Sequence, residues 1–162
     1  MKKAANIPKV KGTFWRLTGE LVSNMIRDRV RKKSTNYLGA KFQSYETSYS
    51  TKKAARKAGR KGQSISSTST SPDMTLTGKT MDDLQVRSAD KDGVTYGWLG
   101  IFADVITNLY ERKNYQVIGL SGNKVLHTDE ENFITKRLEK QYDKNIKEYE
   151  SEDVIIKLDL RL

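Results

Sequence analysis

The sequence predicts an α+β chain: a small, mainly antiparallel sheet packed by a long N-terminal helix and a long C-terminal helix, with an extended basic arm. Three observations predict it. Apolar residues recur every three or four positions over 13–33 and again over 129–150, the period of a helix with one buried face. Between them, an Asp92-Gly93 pair is flanked by extended segments, the signature of a tight hairpin. Residues 34–75 show neither period and are rich in Ser, Thr, Tyr and cations.

The first helix follows from Phe14, Leu17, Leu21, Val22, Met25, Ile26 and Val30, with Arg16, Glu20, Arg27, Asp28 and Arg31 opposite. The arm begins without periodicity. Thr51 is a candidate N-cap for a short helix, TKKAARKAG, ended by Gly59. Its cations cover most of the circumference, so no apolar stripe pins it to a core. The Ser/Thr-rich run QSISSTSTSPD follows and closes at Pro72. A long irregular stretch in a small domain is typically functional or disordered.

Regular structure resumes with a turn at Thr77-Gly78 and one helical turn over 80–84. Strands over 85–90 and 94–99 are expected to pair; Val94, Tyr96 and Trp98 alternate with Thr95 and Gly97. Ile101, Phe102, Val105, Ile106 and Leu109 form a helical set, and 115–120 reads as a short strand. Thr128 followed by Glu131 reads as a capping box for the second long helix. Its stripe is Ile134, Leu138, Tyr142, Ile146 and Tyr149. The tail 153–162 alternates apolar and polar residues and reads as a half-buried strand. It is expected to complete this subunit's sheet or add to a neighbour's edge.

Composition narrows the function classes. The 162 residues suit a single domain over 1–162, with 36% hydrophobic residues supplying a lean core. Absence of cysteine excludes disulfides, thiolate metal sites and cysteine nucleophiles. The single histidine, His127, has no cluster of metal-ligating residues around it in sequence, so no metal and no cofactor are expected. No run approaches the roughly 18 apolar residues of a spanning helix, so the chain is expected to be soluble and made in the cytoplasm, with no membrane partner.

The formal net charge of +10 is unevenly spread. Residues 1–61 hold 17 Lys/Arg against 3 Asp/Glu, and residues 62–162 hold 13 against 17. The positive field belongs to the N-terminal third. It implies contact with nucleic acid, an acidic partner, or docking between oppositely charged patches of neighbouring subunits. Lys52, Lys53, Arg56, Lys57, Arg60 and Lys61 are the candidate contact residues, reaching either phosphates without base readout or a neighbouring subunit. Tyr37, Phe42, Tyr45 and Tyr49 read as packing aromatics rather than a base-stacking platform. Asp82-Asp83 and Asp129-Glu130-Glu131 read as helix-start carboxylates. The hydroxyls of 64–71 have no orienting base nearby in sequence, so no catalytic residue is assigned.

The order of motifs resembles the phage virion-morphogenesis (Mu-type G-protein-like) and tail-completion neck protein family over roughly 13–149. The matching residues are Gly39, Phe42, Tyr45 and Tyr49 with the basic 52–61 stretch, then Leu76-Thr77-Gly78 with Met81 and Leu84. Val86 and the Asp92-Gly93 hairpin follow, then Val117-Ile118-Gly119-Leu120-Ser121 and the acidic start Thr128-Asp129-Glu130-Glu131. Three features depart from the pattern. Tyr115-Gln116 replace a common Arg-Pro pair, 122–127 is an insertion, and 153–162 extends past the usual end. The resemblance implies a non-enzymatic virion protein of the head–tail neck. Such a subunit forms a homo-oligomeric ring, six-fold or twelve-fold, between the portal side and the tail tube. Its partners would be adjacent adaptor and tail-terminator proteins, with non-specific contact to genomic DNA. The alternatives are a tail terminator or other minor virion protein, or a free nucleic-acid-binding protein.

Overall fold

A 17-residue helix, α1 (Gly12–Asp28), turns Thr18, Gly19, Val22, Ser23 and Ile26 inward. The computed structural model describes residues 10–57, 67–74, 79–98, 115–119 and 125–159, with side chains of the last segment described to 148. Leu17 and Leu21 belong to the apolar stripe of α1 but stay outside, 58% and 42% exposed. The reason is Gly19. A small residue there lets the hairpin strands approach the helix closely, which turns the narrow Thr18–Gly19–Ser23 side inward and rolls the two leucines to the rim.

The helix continues as one π-helical turn, Arg29–Lys33. This wider turn keeps Arg29 and Val30 on the inner side, while Arg31, Lys32 and Lys33 face solvent. Ser34 ends it in the left-handed conformation at φ 51°, donating its N–H to the Val30 carbonyl at 3.2 Å. The chain then reverses around Asn36, whose Oδ1 accepts from the N–H groups of Leu38 and Ala40. Gly39 sits at φ 84°, a conformation that glycine adopts without steric cost. The reversal delivers Phe42 into the core, edge-on to Tyr115.

One turn of helix, α3 (Lys79–Asp82), follows α2 (Thr47–Ala54) and buries Met81. Strands β1 (Gln85–Ala89) and β2 (Val94–Gly97) pair antiparallel, with a bulge between Val86 and Ser88. Asp90 closes the hairpin by accepting N–H groups of Asp92 and Gly93 on its carboxylate. The core lies between α1 and this hairpin, completed by Leu84, Trp98, Val117 and Leu126. The Trp98 indole N–H donates to the Thr80 carbonyl at 2.8 Å, so the largest core ring also satisfies its polar atom.

The last helix, α4 (Thr128–Asp159), runs 32 residues, about 48 Å at 1.5 Å per residue. It is antiparallel to α1: Glu130 meets Arg29 at one end, and Arg137 reaches Thr18 and the Phe14 ring at the other. The cap lies one residue earlier than the sequence suggests. His127 Nδ1 accepts the Asp129 N–H at 3.2 Å, while Glu130 accepts the His127 N–H at 3.0 Å. The reciprocal capping geometry is therefore built by His127 and Glu130, not Thr128 and Glu131.

The α+β architecture with long first and last helices is the one expected, and several details differ. The sheet has two strands among the described residues. The 115–119 segment is irregular: its backbone bonds run to Tyr37, whose N–H donates to the Gln116 carbonyl, and to Val125, whose carbonyl accepts the Gly119 N–H, and not to a strand ladder. The tail expected as a strand over 153–162 is helical through Asp159. No Gly or Pro interrupts 128–159, and its β-branched residues cost a helix only tenths of a kcal/mol each. The described parts of the 34–75 segment, 34–57 and 67–74, are held to the body and do not project as an extended arm, since Phe42, Lys53 and Asp73 within them are buried. Within α4, Ile134 and Leu138 are half-buried, while Tyr142 and Ile146 are 45% and 36% exposed. The helical set at 101–112, the Thr77-Gly78 turn and residues 160–162 lie outside the described residues.

Replacing Gly19 with alanine tests the packing. Helix propensity alone favours alanine by about 1 kcal/mol. A Cβ at position 19, however, would stand 2.7 Å from Val86 Cγ2 and 2.8 Å from Val94 Cγ2. Both are stiff β-branched side chains, so Gly19→Ala is expected to destabilise by about 1–3 kcal/mol. A lower urea midpoint is the expected result; a higher one contradicts the packing of α1 on the hairpin.

Candidate contact surface on the basic segment

The segment TSYSTKKA forms α2 rather than a helix capped at Thr51. Its first turn is set by Glu46, whose carbonyl accepts from Tyr49 and Ser50 N–H groups. It ends in a Schellman arrangement: Lys57 N–H donates to the Lys52 carbonyl, and Arg56 N–H to the Lys53 carbonyl. Arg56 takes the left-handed position, at φ 56°, which glycine usually occupies. The proposed stop at Gly59 lies outside the described residues.

This geometry splits the six candidate cations. Lys52, Arg56 and Lys57 face solvent beside the small residues Ala54 and Ala55. Lys53 points inward and is fully buried, which removes it as a surface contact residue. Arg60 and Lys61 lie outside the described residues.

Lys53 is buried because it has an acidic partner. Its ammonium is ion-paired with Asp73 Oδ1 and lies 4.9 Å from the centre of the Tyr45 ring. Tyr45 donates its hydroxyl to the same Asp73 oxygen at 3.2 Å and accepts the Asp73 N–H at 3.3 Å. Ser67 donates to Asp73 Oδ2. Burial, reinforced by the Asp73 charge, pushes the Tyr45 hydroxyl well above the ordinary tyrosine range. Tyr49, edge-on to Tyr45 at 4.9 Å, shifts the same way for the same two reasons. The cluster holds both tyrosines neutral and closes the chain from 45 to 73 into a loop.

A second buried network lies at the α1–α4 junction. Arg29 donates to Glu130 Oε1 at 2.7 Å, to the Thr35 carbonyl at 2.8 Å and to the Val117 carbonyl at 2.7 Å. An adjoining cleft of about 260 Å³ is bordered by Met25, Lys32, His127 and Glu130. Its polar groups serve the fold: Glu130 holds Arg29 and the His127 N–H, and His127 Nδ1 caps α4. Among the described residues, no group of three or more His, Asp or Glu side chains is placed to hold a metal ion. Asp82 faces Arg31 at 2.7 Å, and Asp129 opens α4, so both act on local charge.

Sequence reasoning missed Arg29, Asp73 and the inward turn of Lys53. Arg29 carried a signal: it falls three residues after Ile26 and four after Met25, a lone charge on the apolar side of α1. Asp73 and Lys53 carried none, because an unperiodic segment does not say which cation turns inward. No family model, curated protein or solved structure matches this chain. Among the described residues no helix is long and apolar enough to cross a membrane.

Neighbouring lysines at 52 and 53 are expected to respond oppositely to alanine. Lys53→Ala takes the buried ammonium away from the Asp73 carboxylate, a loss on the order of 3–5 kcal/mol. Hydrogen exchange should accelerate over 45–57 and 67–74. Lys52→Ala should leave exchange and unfolding midpoint unchanged. Equal behaviour of the two variants contradicts the inward placement of Lys53.

Proposed function

We propose that this chain is a non-enzymatic structural subunit of a tailed-phage particle, a head–tail connector or tail-completion protein that assembles into a ring between the portal side and the tail tube. The observation that carries the reading is the ordered series of motifs from Gly39 to Glu131. The roles of those residues support it. Gly39 makes the left-handed turn, Phe42, Met81, Leu84, Val117 and Ile118 are buried, and Glu130 anchors α4. The resemblance thus falls on positions that determine a fold, where spacing carries more information than composition.

Surface character supports an assembly role. Leu17 and Leu21, one turn apart on α1, and Tyr142 and Ile146, one turn apart on α4, are exposed and available to partners. The expected partners are further copies of the chain in a six-fold or twelve-fold ring, the adjoining adaptor and terminator rings, and genomic DNA through non-specific phosphate contact. A minor virion protein such as a tail terminator is the nearest variant of this reading.

A second reading, a free nucleic-acid-binding protein, is favoured by one observation: Lys52, Arg56 and Lys57 all face solvent. It requires duplex binding that weakens steeply with salt. The two readings separate in purified particles of the phage that encodes the chain. Mass spectrometry should find it as a low-copy integral component that survives high-salt washing. Its absence from intact particles removes the structural role and leaves the nucleic-acid reading.

A further inference from the structure

We propose that the buried Lys53–Asp73 pair is the precursor of an intramolecular isopeptide bond, formed by condensation of the Lys53 amine with the Asp73 carboxyl and closing the basic segment into a covalent loop. The modification belongs to this chain alone and is independent of the ring-subunit reading.

Amide formation between two side chains needs an amine and a carboxyl held in contact, shielded from water, with hydrogen-bond donors on the carboxyl oxygens. The pair meets each need. Lys53 is fully buried and Asp73 is 3% exposed. The Lys53 nitrogen is in direct contact with Asp73 Oδ1. Such contact replaces a bimolecular encounter with a unimolecular step. Tyr45 donates to Oδ1, Ser67 donates to Oδ2, and the Asp73 N–H donates back to the Tyr45 hydroxyl, so the carboxyl is fixed in one orientation. Lys53 is fixed by the last turn of α2. Backbone strain brackets the pair. Arg56, three residues after Lys53, and Met74, next to Asp73, take the left-handed conformation at φ 56° and 50°. Strain of this kind in non-glycine residues persists where surrounding contacts over-determine the backbone, and it gathers at functional sites.

The atoms balance without a co-reactant. One ammonium proton passes to Asp73 Oδ1, giving an amine and a carboxylic acid that need no water to solvate a charge. The nitrogen attacks Cγ and the N–Cγ bond forms. Negative charge develops on Oδ2, where the Ser67 hydroxyl donates. Collapse restores the Cγ–Oδ2 double bond and breaks the Cγ–Oδ1 bond. The Tyr45 hydroxyl, in contact with Oδ1, gives that oxygen a proton as it leaves and regains one from the nitrogen, so the departing molecule is water. Burial and the Asp73 charge keep the Tyr45 hydroxyl protonated, which keeps its proton available. The product replaces two buried charges with one neutral amide. It also closes the loop from 53 to 73 covalently, which restricts the unfolded chain.

Intact-mass spectrometry of the purified full chain tests the proposal. The expected mass lies one water below that of the sequence, and denaturant does not restore it. Trypsin should no longer cleave after Lys53, and tandem spectra should show a branched peptide joining positions 53 and 73. Lys53→Arg and Asp73→Ala should each return the mass to that of their sequences. Tyr45→Phe and Ser67→Ala keep both reactants and should slow conversion on the order of a hundredfold, leaving the uncondensed mass in fresh protein. A parent chain that is folded by circular dichroism, keeps the full sequence mass through days of incubation and is cleaved after Lys53 overturns the proposal and leaves the contact as an ion pair. A lost water that maps to a succinimide at Asp92-Gly93, with positions 53 and 73 in separate linear peptides, overturns it as well.

Discussion

Four separate stretches of this chain converge on the guanidinium of Arg29. It sits at the start of the π-helical turn, 5% exposed, and donates to the Thr35 carbonyl, the Val117 carbonyl and the Glu130 carboxylate. Removing a guanidinium and a carboxylate from water costs several kcal/mol each, and only a fully bonded arrangement offsets it. The arrangement here is full. Glu130 uses its second oxygen on the His127 N–H, so the carboxylate that neutralises Arg29 also starts α4. The π turn, the reversal at Asn36, the irregular 115–119 segment and the start of the last helix therefore depend on one another. Taking away either charge leaves the other buried and uncompensated.

This dependence suits a lean core. With 36% hydrophobic residues, burial alone holds few segments, and the described hairpin has only two strands. Polar networks organise what apolar area does not. Arg29 orders the chain on the α4 side, and the Lys53–Asp73 pair with Tyr45 and Ser67 orders the basic segment. In each, a cation and a carboxylate far apart in sequence are buried together. Both networks fix irregular chain, whose backbone groups have no ladder or helix to satisfy them.

Legibility in the sequence follows the same division. Elements set by periodic burial or local turn chemistry were readable: α1, the Asp92-Gly93 hairpin, the turn at Met81 and the body of α4. Elements set by long-range partners were not. Alternation over 153–159 describes a strand only if an edge waits to receive it; an uninterrupted helix arriving from Thr128 continues instead. Burial of both Val117 and Ile118 reflects contacts from opposite sides, which a linear pattern does not record. Of the basic segment, the outward Lys52, Arg56 and Lys57 follow from composition, whereas the inward Lys53 depends on an aspartate twenty residues away.

The proposed role joins these features. A small body tied by two buried ion pairs presents the exposed cations Lys52, Arg56 and Lys57 on one surface and a long final helix with exposed Tyr142 and Ile146 on another. Such a body is suited to repeat around an axis, with its work done by contact rather than by chemistry. The most direct measurement is a cryo-EM reconstruction of the neck of the encoding phage at side-chain resolution. The account predicts a closed ring of this chain between portal and tail tube. Neck rings built wholly from other chains, with this one absent from them, would contradict it.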